Sequence, residues 1–333
     1  MTNTRQTVAS VVERTRAVDA EGAVVAAYFL DQTAVFVLSE EAVLLVPPDG
    51  EARRVLAHSG GILASDSDGE RVLTAGDDGK AVATNPAGET RTIVTDPKRR
   101  WIDRIAAGPD GAVAWSIGKT ACVQTAKREE RTLELASSVG GLAFAPRGFR
   151  LAISHYNGAT LWFPNAQNAA PERLEWKGSH LETSFSPDGK FLVTSMQEPA
   201  LHGWRLADRK DMRMSGYPAR VRSVAWSADG KWLATSGADQ LILWPFQGKD
   251  GPMGKQPRML APYEHKVAVV ACHPRQEVVA VGYEDGMILL VRIEDGAEIL
   301  ARKPGDGPVT ALAWDLTRVA FGTEDGVAGV IDL

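Results

Sequence analysis

Residues 221–244 read VRSVAWSADGKWLATSGADQLILW, and no other feature restricts the fold of this chain as much. The stretch holds three short apolar runs, at 223–226, 232–235 and 241–244. They have strand length and are rich in β-branched and aromatic residues. Ala228-Asp229-Gly230 separates the first two, and Asp-Gly admits the positive φ of a tight hairpin turn. Gly237-Ala238-Asp239 is a second turn signal. The middle run, WLAT, is apolar on both sides, as expected of a sheet covered on both faces. The spacing predicts an antiparallel three-strand meander that cannot bury both faces alone.

Similar units flank it. Residues 180–204 read HLETSFSPDGKFLVTSMQEPALHGW, with a turn at Asp188-Gly189 and a terminal Trp204. Residues 141–162 read GLAFAPRGFRLAISHYNGATLW, with a turn at Arg147-Gly148. Asp188 to Asp229 and Gly148 to Gly189 are each about 41 residues apart. The segments FSPDGKFLVTS and WSADGKWLATSGAD resemble the WD40-repeat β-propeller family, in its single-domain bacterial form. The family's Trp-Asp pair is missing, because Trp162, Trp204 and Trp244 are followed by Phe163, Arg205 and Pro245. The one literal pair, Trp314-Asp315, falls in a first strand. The resemblance covers almost the whole chain and specifies fold far more than function.

Eight meanders follow in order, at 24–46, 61–84, 102–123, 141–162, 181–204, 221–244, 267–293 and 309–331. A short fourth strand is expected after each of the first seven, at 53–57, 90–94, 132–135, 172–176, 211–214, 257–260 and 298–301. The expected fold is all-β, a single closed propeller over residues 1–333 with eight four-stranded blades, or seven as the alternative. The eighth meander lacks a fourth strand. Residues 11–18, VVERTRAV, alternate like an edge strand and are expected to fill that place and close the ring. The segments 163–171 and 245–258 are expected as loops joining third to fourth strands.

The net charge of −5 argues against a dedicated nucleic-acid binder. Cys122 and Cys272 lie in expected strands, which suits buried thiols in a reducing compartment. Residues 1–18 contain no apolar signal core, and no apolar run is long enough to span a membrane. A cytoplasmic protein without membrane contact, favoured as a monomer, is expected.

Strong catalytic motifs are missing. There is no GxxxxGK[ST], and the two carboxylates of Gly76-Asp77-Asp78-Gly79 would repel phosphate. There is no GxSxG, and Cys272 and His273, adjacent on a strand, point to opposite faces. None of the six histidines sits in HExxH or beside a CxxC. Neither catalytic residues nor a metal or cofactor are therefore expected. His58, His180 and His265 each precede a first strand. The WD40 resemblance implies that a His there braces the blade, bonding a Ser/Thr and a Trp within it and an acid in the second-to-third-strand turn. Asp78, Asp285 and Glu198 occupy the matching turn positions.

Charge divides around the ring. Acidic pairs mark the turns of units seven, eight, one and two, with Glu40, Glu41, Asp77, Glu284 and Glu324 among them. Basic residues mark units three to six: Arg99 and Arg100 beside Trp101, then Lys119, Arg220 and Arg222. In a propeller these connections share one face, so a dipolar face able to orient a charged partner is expected. His155, Tyr156, Met196, Tyr263 and Tyr283 are expected on it as contact residues. The expected function is a non-catalytic scaffold binding protein or peptide partners in trans. The alternatives are a propeller enzyme or a ligand- or metal-binding propeller with acids or histidines at the channel mouth, and a structural subunit of a larger complex.

Overall fold

The computed structural model describes residues 9–166, 169–305 and 307–333. Every described regular element is a strand, apart from two single 3-10 turns at Val12–Arg14 and Pro109–Gly111. Residues 167 and 168, inside the expected loop 163–171, lie outside the described residues.

Local chemistry sets the hairpins. Ser186 Oγ donates to Asp188 Oδ1 at 2.7 Å and accepts from the Phe191 amide at 3.0 Å. Gly189 sits at φ 73°, where a glycine carries no Cβ penalty. The turn recurs one repeat on, where Ser227 bonds Asp229 at 2.8 Å and the Trp232 amide at 3.0 Å, with Gly230 at φ 68°.

Among the described residues the strands pair into seven sheets. Five are four-stranded: residues 24–56, 62–95, 104–134, 224–260, and a set in which Thr15–Asp19 pairs with Val327–Asp332. Residues 267–302 form a four-stranded antiparallel set with a fifth, parallel strand, Ala9–Ser10, on Glu298–Arg302. Residues 141–215 form one six-stranded sheet. The expectation of eight separate blades is thus corrected to seven sheets. The reason is Glu172–Phe185, which pairs first with Leu151–Trp162, up to Tyr156 opposite Ser179, and then with Phe191–Met196, from His180 opposite Met196. Repeats four and five are joined in one sheet through that strand.

The strand expected over 11–18 lies at Thr15–Asp19, with Thr15 opposite Ile331 and Asp19 opposite Val327. Residues Val12–Arg14 instead turn between the two N-terminal strands. First strands of successive repeats meet at the centre. Ser223 Oγ bonds the Val270 amide at 3.1 Å, and Thr310 Oγ1 donates to the Val24 carbonyl across the seam between last and first repeats.

Each seam has its own apolar filling, which is why most strands are buried on both faces. Phe36, Leu44 and Val24 pack against Ala311, Ala320 and Val330 at the closing seam. Phe321, Val319 and Ile331 pack against Ile288 and Leu290 at the seam before it. Each such Leu, Ile or Phe contributes about 1.5–3 kcal/mol by leaving water. Arginines fasten the outer rim: Arg16 donates to the Pro47 and Pro48 carbonyls at 2.8 and 2.9 Å, and Arg258 to that of Glu294 at 3.0 Å.

Candidate protein-binding face

The face is built from the turns between second and third strands and from the segments that enter each repeat. Asp96 begins one such entry. It is buried, accepts from the Lys98 and Arg100 amides at 3.1 and 2.8 Å, and pairs with the Arg100 guanidinium at 2.8 Å. Arg100 holds its carboxyl down to about 2. The turn so fixed places Arg99 at φ 53° and leaves Trp101 65% exposed. Tyr156, 60% exposed, is anchored through its amide to Ser137 Oγ at 3.1 Å. Lys119 is exposed and pairs with Glu134 at 3.2 Å.

Four of the charged residues named from the sequence come together. Arg220, Arg222, Glu284 and Glu324, with Lys266, line a cavity of about 990 Å³ whose walls are first strands and their entry segments. Lys266 was not singled out from the sequence. Its signal was positional, since it precedes a first strand as Arg222 does. Lys266 lies 3.7 Å from Glu284, and Arg220 donates to Gln197 at 3.2 Å. Arg54 lies 3.4 Å from Glu41 and 3.9 Å from Glu40. Asp77 is half-buried. Acids and bases are therefore more interleaved around the ring than the sequence suggested.

Two residues expected on the face are not on it. Met196 and Tyr283 end second strands and are buried, and Tyr283 donates to the Ala261 carbonyl at 2.8 Å. Tyr263 is half-buried and donates to Asp285 at 2.8 Å, a bond that pushes its hydroxyl up to about 12.

The bracing residues fall into three cases. His58 lies between Asp78 (Nδ1 to Oδ1, 3.0 Å) and Thr74 (Nε2 to Oγ1, 2.9 Å). The carboxylate needs a donor, so Nδ1 carries the proton. His180 bonds Thr194 at 2.7 Å and the Trp176 carbonyl at 3.1 Å, and Glu198 has no part in it. His265 is a correction. It is exposed, and Tyr263 makes the bond to Asp285 that was expected of it. Sequence reading also missed Tyr217, which holds Thr235 and Trp244 in repeat six.

No group of three or more His, Cys, Asp or Glu among the described residues is placed to hold a metal ion. Both thiols are free, and burial pushes Cys122 up to about 12. No helix among the described residues is long and apolar enough to cross a membrane.

Residues 210–244 match the WD40 family, described as WD domain, G-beta repeat. This segment includes the stretch with which the sequence analysis began. Over this one repeat the chain is similar to the WD40 family. Over 80 residues, 23% of the chain, it is 32% identical to WD repeat-containing protein 1-B of Xenopus laevis, and the match spans 13% of that protein's length. The crystal structure of the computationally designed Ika8 protein superposes with a TM-score of 0.75 at 16% identity, covering 95% of this chain and 98% of that one. That likeness is one of fold alone. WD40 propellers are typically protein-interaction scaffolds.

Proposed function

We propose that the protein is a non-catalytic scaffold whose charged face docks a protein or peptide partner supplied in trans. The supporting observation is the 990 Å³ mouth, where Arg220, Arg222 and Lys266 stand with Glu284 and Glu324 around one opening. A concave site with both signs of charge orients a partner as well as attracting it. The exposed Trp101 and Tyr156 supply the large rigid contacts that dominate interface energies.

The test is affinity purification from the native host with quantitative mass spectrometry, using the full chain. Arg222→Glu and Trp101→Ala should each deplete the same partner without lowering the melting temperature. An unchanged partner set in both variants would remove this face from consideration.

A further inference from the structure

A second cavity, of about 340 Å³, shares Val25 with the mouth and lies among the first strands of repeats one to five. Its volume is at the lower end of the range for small-molecule sites. Two charged residues line it, Arg104 and Glu182. The Arg104 guanidinium donates to the carbonyls of Gly140 and Asp103, which fixes its position. Glu182 is different. Its carboxylate has no hydrogen bond or ion pair among the described residues, although its backbone amide is tied to Ser195 Oγ at 3.2 Å. The surrounding protein raises its carboxyl above the usual range, and Arg104 partly offsets that.

Arg104 and Glu182 feel each other's charge without forming a contact pair. The cavity therefore holds a fixed cation and a free anion, each with bonding capacity directed at whatever occupies it. Two apolar side chains of its lining are open to it. Val25 is 45% exposed and Leu63 40% exposed, on two adjacent first strands. The Tyr28 and Ser65 hydroxyls satisfy each other at 3.0 Å and so make no separate demand.

A ligand that answers all three features carries an ammonium, a carboxylate and a short apolar group. We infer that the cavity binds a free apolar α-amino acid, its ammonium on Glu182, its carboxylate on Arg104 and its side chain against Val25 and Leu63. This site adjoins the docking mouth at Val25, but neither reading requires the other.

The test is isothermal titration of the full chain with leucine, leucinamide and 4-methylpentanoate. The amide lacks the carboxylate and the acid lacks the ammonium. Leucine should bind one to one, and each truncated analogue should bind about tenfold or more weakly. Glu182→Gln should weaken leucine and leucinamide by about tenfold or more while leaving 4-methylpentanoate unchanged. Because the Glu182 carboxylate makes no hydrogen bond or ion pair among the described residues, the variant should melt with the wild type. If it does not fold, the analogue series on the wild type decides alone. The inference fails if leucine, methionine and phenylalanine all bind the wild type no better than the truncated analogues. It fails equally if Glu182→Gln folds and binds leucine unchanged. Loss of Arg222 should not alter these titrations, so failure here is distinguishable from failure of the docking face.

Discussion

Trp244 Nε1 donates to Tyr217 Oη at 2.6 Å, and the same oxygen lies 2.8 Å from Thr235 Oγ1. Repeat six thus uses a phenol where repeat two uses the His58 imidazole. Burial pushes the Tyr217 hydroxyl up to about 12, so it remains a neutral donor and acceptor at ordinary pH. Tyr217→Phe leaves the buried Trp244 N–H without an acceptor. It should cost about 1–3 kcal/mol in urea denaturation. A loss of only a few tenths would show that the bond contributes nothing net.

His202 should make the protein acid-sensitive. Its ring is fully buried, stacks on Trp176 at a centroid distance of 4.2 Å, and has no hydrogen bond on either nitrogen. Burial, with His180 and Arg213 adding, pushes its pKa down to about 3. Below about 6.5 the unfolded chain binds a proton that the folded chain refuses, so stability falls with pH down to about 3. His202 alone should cost about 2 kcal/mol between pH 7 and 5. His180 is shifted in the same direction by burial and adds to the effect. His202→Phe keeps the stack and should flatten the profile measured by urea melts. Asp96 and Asp208, held low by Arg100 and Arg205, lose their contribution only as pH falls below about 4, outside this window.

The closing strand should matter to the whole ring. Val18 sits in Thr15–Asp19 and packs on the core of the seam between last and first repeats. Val18→Asp sets a charge against that core and should lower stability by roughly 3 kcal/mol or more. Deleting residues 1–20 should lower the melting temperature further. If the truncated chain melts like the full one, the strand pairing does not hold the ring.

Glycines at the ends of second strands set how closely repeats approach. A Cβ on Gly322 would come within 2.2 Å of a Val24 methyl, and one on Gly282 within 2.7 Å of Val309. Gly322→Ala should therefore cost about 1–3 kcal/mol by forcing the closing seam apart. Gly248, with nothing within 4 Å, is the control for crowding, although its φ of 81° adds backbone strain of its own.

The Asp-Gly turns and the double-sided apolar runs made the strands legible, because each depends on neighbours in sequence. Tyr217 escaped notice, and Tyr263 was expected on the face and not as a brace, because a search for histidine at the bracing position cannot see a phenol doing the same work. Met196 and Tyr283 were misplaced because both are buried, Tyr283 in the apolar filling between repeats six and seven. The joining of repeats four and five was hidden, since Gly178 reads as an ordinary loop glycine until its φ of 106° and its place within Glu172–Phe185 are known. Arg104 and Glu182 sit in different repeats, and only closure of the ring brings them into one cavity.

Ala9–Asp19 belongs to two sheets at once, first beside Glu298–Arg302 and then beside Val327–Asp332. A foreign extended segment seeking to annex a strand at the rim would find the amides of Glu298–Arg302 partly occupied. The rims at Arg53–Leu56 and Arg258–Leu260 offer Leu56 and Met259 in the open. Edge-to-edge association is thereby steered away from the joint where the circle is completed.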